Sequence, residues 1–269
     1  MSERPVIFIT GAAGGIGNAT CLEFARRGYD IAVADVNVEK LEDLAGQINS
    51  GDTKTLLLPG DLADLDYAEA SINKTIEHFG RIDVLVNNAT WREIKTMRTI
   101  SVESWEKTMK VGVTAPAFLS RWAAANMEKR GKGVIINISS IQSQSVAGIG
   151  PAYVASKGAL DALTYELATL WGPKGIRVLA VNPGAIDTDG SRDYESGEGD
   201  NLTTQLRKWS EEMIPLRRWG RAEEIAKTIA MLASDDASYI TGTTIVADGG
   251  VKMQFSPYPF KHQMFPEEY

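Results

Sequence analysis

Short runs of β-branched and aliphatic residues recur along the chain. Each is followed by a longer stretch in which apolar positions return every three or four residues. The runs Val6–Thr10, Ile31–Ala34, Thr55–Leu58, Ile82–Val86, Gly133–Ile138, Arg177–Val181 and Thr243–Val246 predict strands. Between them, helical spacing predicts a helix through Ala19, Leu22, Phe24 and Ala25 that stops at Gly28, then helices over Glu39–Ile48 and Asp64–Phe79. A long helical segment follows from about Ser101 to Lys129, interrupted near Gly112–Pro116, and another carries Tyr153 and Lys157 to Leu170. The last two helices are expected near Leu202–Met213 and over Ala222–Ala233. Strands that alternate with helices and end in polar residues imply a parallel sheet covered on both faces, an α/β fold. No composition shift or internal repeat divides the chain, so one domain is expected over residues 1–250, followed by an extension, 251–269.

The first strand runs into T-G-A-A-G-G-I-G, Thr10–Gly17, and then a helix. Glycines in that position let the backbone approach a pyrophosphate, and the helix start offers N–H groups and a positive dipole end. A tight strand-to-helix turn would use the same residues. The second strand ends at Asp35. An acid there accepts hydrogen bonds from a ribose 2′-hydroxyl and repels a 2′-phosphate. No Lys or Arg lies within Gly11–Gly17 or Ala34–Val38, so NAD is favoured over NADP, although Asp35 could instead cap the next helix. Asp61 and Asn88 follow later strands, where ligands of such sheets bind or where a turn needs a cap.

Tyr153 and Lys157 are four residues apart on a predicted helix, hence on one face. An ammonium ~4 Å from a phenol at an effective dielectric of ~20 favours the phenolate by roughly 4 kcal/mol, enough to bring a group that titrates near ~10 close to neutrality. Ser140, across a glycine-containing loop, supplies a hydroxyl for a substrate oxygen, with Ser139 as the competing serine.

Composition narrows the remaining possibilities. Apolar residues make up 43% and charged ones 23% of the 269 residues, enough for a sizeable core. A net charge of −7 argues against a nucleic-acid partner. One cysteine, Cys21, and two histidines, His78 and His262, leave little material for a disulfide, a metal site or a His-based triad. Cys21 is expected to be a small buried residue in a helix. The first residues enter a strand directly, without a signal-peptide pattern, and no long apolar span follows, so a soluble, cytoplasmic protein is expected. The polar, Gly-rich stretch Asp189–Asn201, within about 187–215, is expected to form a lid or a surface insertion. Phe255, Tyr258, Phe260, Phe265 and Tyr269 in the extension predict packing, on a neighbouring subunit.

Thr10-Gly11-x-x-x-Gly15-x-Gly17, Asp61, Asn87-Asn88-Ala89, Ser140, Tyr153-x-x-x-Lys157 and Pro183-Gly184-x-x-x-Thr188, in this order, resemble the short-chain dehydrogenase/reductase family over roughly residues 5–250. The resemblance implies a Rossmann-type doubly wound parallel sheet of about seven strands, a nicotinamide cofactor and a homotetramer. It implies that Tyr153 is the general acid/base, that Lys157 lowers its pKa and binds the nicotinamide ribose, and that Ser140 orients the substrate oxygen. Gly11, Gly14, Gly15, Ile16 and Gly17 would meet the cofactor, Asp61 and Leu62 the adenine, Asn88 the adenosine-side loop, and Ile186 and Thr188, near Gly184, the carboxamide. Two positions depart from the family: Thr90 stands where N-N-A-G has its glycine, and Gly112 where an Asn usually links the Lys to solvent.

An NAD-dependent oxidoreductase interconverting a secondary alcohol and a ketone is therefore expected. Trp91, Arg92, Gln142, Gln144 and Arg192 are candidate pocket residues, and their polarity favours a sugar, polyol or other polar hydroxy compound. The alternatives are an NADPH-dependent carbonyl or 3-oxoacyl reductase, which Asp35 and Gly14 disfavour, and a weakly catalytic NAD-binding protein, which Ser140, Tyr153 and Lys157 disfavour.

Overall fold

The computed structural model describes residues 4–48, 52–188 and 202–269. Seven parallel strands form the main sheet: β1 (Val6–Thr10), β2 (Asp30–Asp35), β3 (Thr55–Pro59), β4 (Val84–Asn87), β5 (Gly133–Ile138), β6 (Ile176–Pro183) and, after a short parallel pair β7 (Ile186–Asp187) and β8 (Gly220–Arg221), β9 (Thr243–Ala247). Their order is β3-β2-β1-β4-β5-β6-β9. The chain thus moves outward from β1 in one direction, returns to β4, and moves outward in the other. The crevice at this reversal, beyond the C-terminal ends of β1 and β4, is where ligands of open parallel sheets bind.

Helices cover both faces, and the predicted strands and most helices agree with the structure to within a residue or two. They are α1 (Gly15–Arg26), α2 (Val38–Ile48), α3 (Leu65–Phe79), α4 (Val102–Met109), α5 (Ala115–Met127), α6 (Pro151–Trp171), α7 (Leu202–Met213), α8 (Ala222–Ala233) and α9 (Tyr258–Met264). Local chemistry sets their ends. Asp64 caps α3 by accepting from the Asp66 N–H at 2.9 Å, and Gly80, at φ 81°, ends it in the left-handed conformation that costs a glycine nothing. Within the strands, alternate residues serve opposite faces. Ile7, Ile9, Val33, Val86 and Ile136 pack with Cys21 and Phe24 of α1 and Ile225 and Ile229 of α8. Val6, Phe8, Ala32, Leu85 and Ile135 pack with Ile72 of α3, Leu119 of α5 and Leu167 of α6. Cys21 is fully buried, and burial pushes its thiol well above the ordinary range, so it acts as a small apolar residue.

One local feature differs from the sequence expectation. The segment expected to break near Gly112–Pro116 continues as a helix, with a π-helical turn over Lys110–Thr114 joining α4 to α5. Pro116 has no N–H for the Gly112 carbonyl four residues back, and widening the turn keeps the chain helical where the α ladder fails. The extension after β9 turns at Gly249 and Gly250, then forms α9, which contacts α7 of its own chain. There the Arg217 guanidinium lies 4.1 Å from the centre of the Tyr258 ring, and the Tyr258 hydroxyl donates to the Tyr269 carbonyl. Phe255, Phe260 and Phe265 remain exposed.

Candidate active site

The loop after β1 is held open by its neighbours. The Asn88 amide, just beyond β4, donates to the carbonyls of Thr10 (3.0 Å) and Gly11 (2.9 Å), and the Thr10 hydroxyl accepts from the N–H groups of Asn88 and Ala89, both at 3.0 Å. These bonds clamp the glycine turn across the sheet's reversal point. Two of its glycines leave no room for a side chain: a Cβ on Gly17 would lie 2.1 Å from the Gly11 oxygen, and one on Gly15 would lie 2.6 Å from Thr188. Gly11 has φ +65° and touches Ala89. Helix α1 begins here with no side-chain cap and no acid in its first turn, leaving its N–H groups aimed at the crevice.

Asp35, at the end of β2, leans onto this turn. Its carboxylate accepts from the Ala13 N–H at 3.0 Å and the Asn37 N–H at 2.9 Å. Asp61 lies farther out, exposed; it accepts from the Ala63 N–H at 2.9 Å and pairs with Lys107 at 3.8 Å. The Leu62 side chain packs into the core beside Leu58 and Ala68, so only its main chain faces outward chemistry.

The other wall comes from α6 and the ends of β5 and β6. Lys157 is 2% exposed; its ammonium donates to the Ile138 carbonyl at 2.8 Å and sits 5.4 Å from the centre of the Tyr153 ring. From the opposite loop, the Arg92 guanidinium lies 5.3 Å from the same ring. Two cations thus lie within ~6 Å of one phenol ring. Burial lowers Lys157 itself to about 8, with Asp161 opposing and Arg92 reinforcing that shift. It remains mostly charged at neutral pH, though it is a less secure cation than sequence spacing alone suggested.

Ser139 and Ser140 divide their work. The Ser139 hydroxyl donates to the Lys157 carbonyl at 3.1 Å and so docks α6 on β5. The Ser140 oxygen accepts from the Gln142 N–H at 3.1 Å, which leaves its hydrogen to donate into the cavity.

These groups share one cavity of about 650 Å³. Asn88, Trp91, Arg92, Ser140, Gln142, Tyr153, Lys157, Gly184, Ile186 and Thr188 line it, together with Ile16 and Thr90. Sequence reasoning missed its apolar far wall, Ile141, Ala147, Ile149, Ile214 and Trp219, which comes from segments far apart in the chain. Gln144 is exposed and does not line the cavity. Arg192 and residues 189–201 of the expected lid lie outside the described residues. Sequence reasoning also missed a buried polar row behind the site. Asn87 donates to Asn137 (2.8 Å) across β4 and β5, and Asn137 to Thr164 of α6 (2.9 Å). Asn182, on β6, donates to Asp161 (3.1 Å) and Ser143 (3.2 Å). Thr164 and Asp161 recur at the helical spacing of Lys157, a signal that was present in the sequence.

A family model described as enoyl-(acyl carrier protein) reductase matches residues 11–252. The chain belongs to the short-chain dehydrogenase/reductase family. It is 39% identical to an uncharacterized oxidoreductase of Thermotoga maritima, over 92% of this chain and 97% of that one. It is 33% identical to glucose 1-dehydrogenase 2 of Bacillus subtilis, over 91% and 93%. The crystal structure of levodione reductase superposes with a TM-score of 0.87 at 28% identity, covering 93% of this chain and 98% of the other. This short-chain dehydrogenase/reductase is therefore an oxidoreductase of a family that uses NAD or NADP. The glycine turn, into which a Cβ would not fit, and the uncapped start of α1 suit the pyrophosphate of such a dinucleotide. No described helix is long and apolar enough to cross a membrane, and no three His, Cys, Asp or Glu side chains gather as metal ligands among the described residues.

Because a Cβ at Gly17 meets a backbone oxygen, Gly17→Ala should weaken NADH binding at least about tenfold while leaving a folded protein. Fluorescence titration with NADH, alongside circular dichroism, checks both; unchanged affinity would remove the turn from the cofactor site.

Proposed function

We propose that this enzyme interconverts a secondary alcohol and a ketone using NAD, with Tyr153 as the proton-transferring acid/base. The observation that carries this reading is the Tyr153 ring 5.4 Å from the Lys157 ammonium and 5.3 Å from the Arg92 guanidinium, in one cavity with the Ser140 hydroxyl and with Ile16 and Thr188 beside the glycine turn. In oxidation the Tyr153 oxygen takes the proton of the substrate hydroxyl, and Ser140 holds that substrate oxygen by a hydrogen bond. The Lys157 ammonium stabilises the phenolate; having spent one N–H on Ile138, it keeps two others for the phenol and the cofactor ribose. When bound, the nicotinamide provides the hydride acceptor. Ile186 and Thr188, at the cavity edge, are assigned to its carboxamide, and Asp61 with the Leu62 main chain to the adenine.

NAD is preferred because the Asp35 carboxylate stands beside the glycine turn, where a 2′-phosphate would be repelled. Arg92, Gln142 and Trp91 are assigned to a polar hydroxy compound such as a sugar or polyol, a reading to which the likeness to glucose 1-dehydrogenase 2 adds weight. The apolar far wall favours a compact substrate with one apolar face, such as a ring. The second reading, an NADPH-dependent carbonyl or 3-oxoacyl reductase, draws on that same wall and on the likeness to a 3-oxoacyl-(acyl-carrier-protein) reductase of Staphylococcus aureus. We further read the protein as a cytoplasmic homotetramer in which the exposed Phe255, Phe260 and Phe265 meet a neighbouring copy.

Tyr153→Phe should lower kcat at least about 10³-fold and leave NADH affinity nearly unchanged. The assay is steady-state turnover across sugars, polyols, cyclic alcohols and hydroxy acids, and retained activity would sink the assignment. Asp35→Ser should shift the ratio of kcat/KM for NAD to that for NADP toward NADP by roughly tenfold or more, read with both cofactors side by side. A chain truncated after Gly250 should lose subunits in sedimentation; an unchanged oligomer would refute the role given to the extension.

A further inference from the structure

Helix α6 buries an anion as well as a cation. Asp161 is one helical turn past Lys157 and only 5% exposed, against 2% for Lys157. The two side chains reach adjacent strand ends: Lys157 donates to Ile138, which closes β5, and Asp161 accepts from Asn182 near the end of β6. They form no direct ion pair, yet each lies within the electric field of the other. One Asp161 oxygen bonds Asn182; the other has no hydrogen-bond partner among the described residues.

A carboxylate buried that far without full hydrogen bonding is costly unless a nearby charge offsets it. The same holds for an ammonium that donates to an uncharged carbonyl. The titratable groups facing Lys157 among the described residues are Tyr153 and Asp161 on its own helix and Arg92 on the loop after β4. The ends of β5 and β6 present Ser139, Ser140 and Asn182, none of which titrates, and the π turn presents Gly112, which has no side chain. A Cβ there would come 3.1 Å from Ser156, too close for a larger residue to enter without displacing it. Arg92 is a like charge, and Tyr153 is an anion only in the form that accepts the substrate proton, a charge the reaction then removes. Asp161 is the one standing negative charge in this set.

We propose that Asp161 is the counter-charge that holds Lys157 in its ammonium form, a positioning residue that acts through Lys157 and does not touch the substrate. Its bond to Asn182, which in turn donates to Ser143, also ties the charge to the short helical turn carrying Ser140 and Gln142. This inference rests on Lys157 serving Tyr153 as proposed above.

The test separates charge from shape. Asp161→Asn keeps an oxygen for the Asn182 amide and removes only the charge; Asp161→Glu keeps the charge. Asp161→Ser removes the charge in a smaller side chain if the amide does not fold. The titration of Lys157 is followed by NMR on lysine-labelled protein, its signal identified by its loss in Lys157→Met. The midpoint should fall by about one pH unit in Asp161→Asn and return close to the wild-type value in Asp161→Glu, since removing a nearby anion disfavours the ammonium. The alkaline limb of the kcat–pH profile should move down with it. An unchanged midpoint in the neutral variants overturns the proposal, even if turnover falls. If wild-type protein oxidises no secondary alcohol, the dehydrogenase reading fails, and the midpoints alone decide on Asp161.

Discussion

Burying the ammonium of Lys157 is the constraint around which the site is built. A charge 2% exposed loses nearly all its hydration, and the protein must supply substitutes at fixed positions. The Ile138 carbonyl, freed at the end of β5 where the ladder stops, accepts one N–H. The face of Tyr153 lies within reach, and Asp161 supplies opposite charge from the next turn of the helix. Ser139 then fixes the helix to the strand by bonding the Lys157 carbonyl, so the cation cannot relax outward. Burial lowers the ammonium to about 8, which leaves it charged at neutral pH but close to titrating.

The crevice facing Tyr153 follows from a separate constraint, the reversal of strand order between β1 and β4. Adjacent strands diverge into helices on opposite faces there, and the gap leaves backbone groups unpaired at both strand ends. Asn88 and Thr10 satisfy those groups across the gap, and glycines keep the turn low enough for a ligand to approach. Asp35 is held to the same turn by the Ala13 N–H, so the acid and the glycine turn are tied together.

The π turn over Lys110–Thr114 shows how a missing hydrogen bond is absorbed. Pro116 withholds a donor, the helix widens by one residue, and α5 still packs Leu119 and Ala123 against the sheet. At the centre of that turn Gly112 sits against Ser156 of α6, the residue just before Lys157. A side chain at that position would press on Ser156, its Cβ coming within 3.1 Å. The electrostatic support of Lys157 therefore comes from within α6 and from the strand ends it crosses.

Strands and helices could be read from hydrophobic spacing because both elements are locally periodic, and a parallel sheet makes each buried strand a nearly unbroken apolar run. The glycine turn, Asp35, Ser140, Tyr153 and Lys157 were legible for a similar reason: their chemistry depends on spacing within one turn, one helix or one strand end. The sequence determined these parts and their order. It could not determine which polar residues meet behind the site, since Asn87, Asn137 and Thr164 join only when β4, β5 and α6 are in register. Nor could it distinguish Gln142, which faces the cavity, from Gln144, which faces water two residues later, because a short helical turn sets their directions. The apolar far wall, the approach of Arg92 to Tyr153 and the placement of Asp161 behind Lys157 were decided by the tertiary structure alone. Each depends on contacts between segments distant in the chain, and the strength of a charge or an apolar wall depends on the water that packing removes.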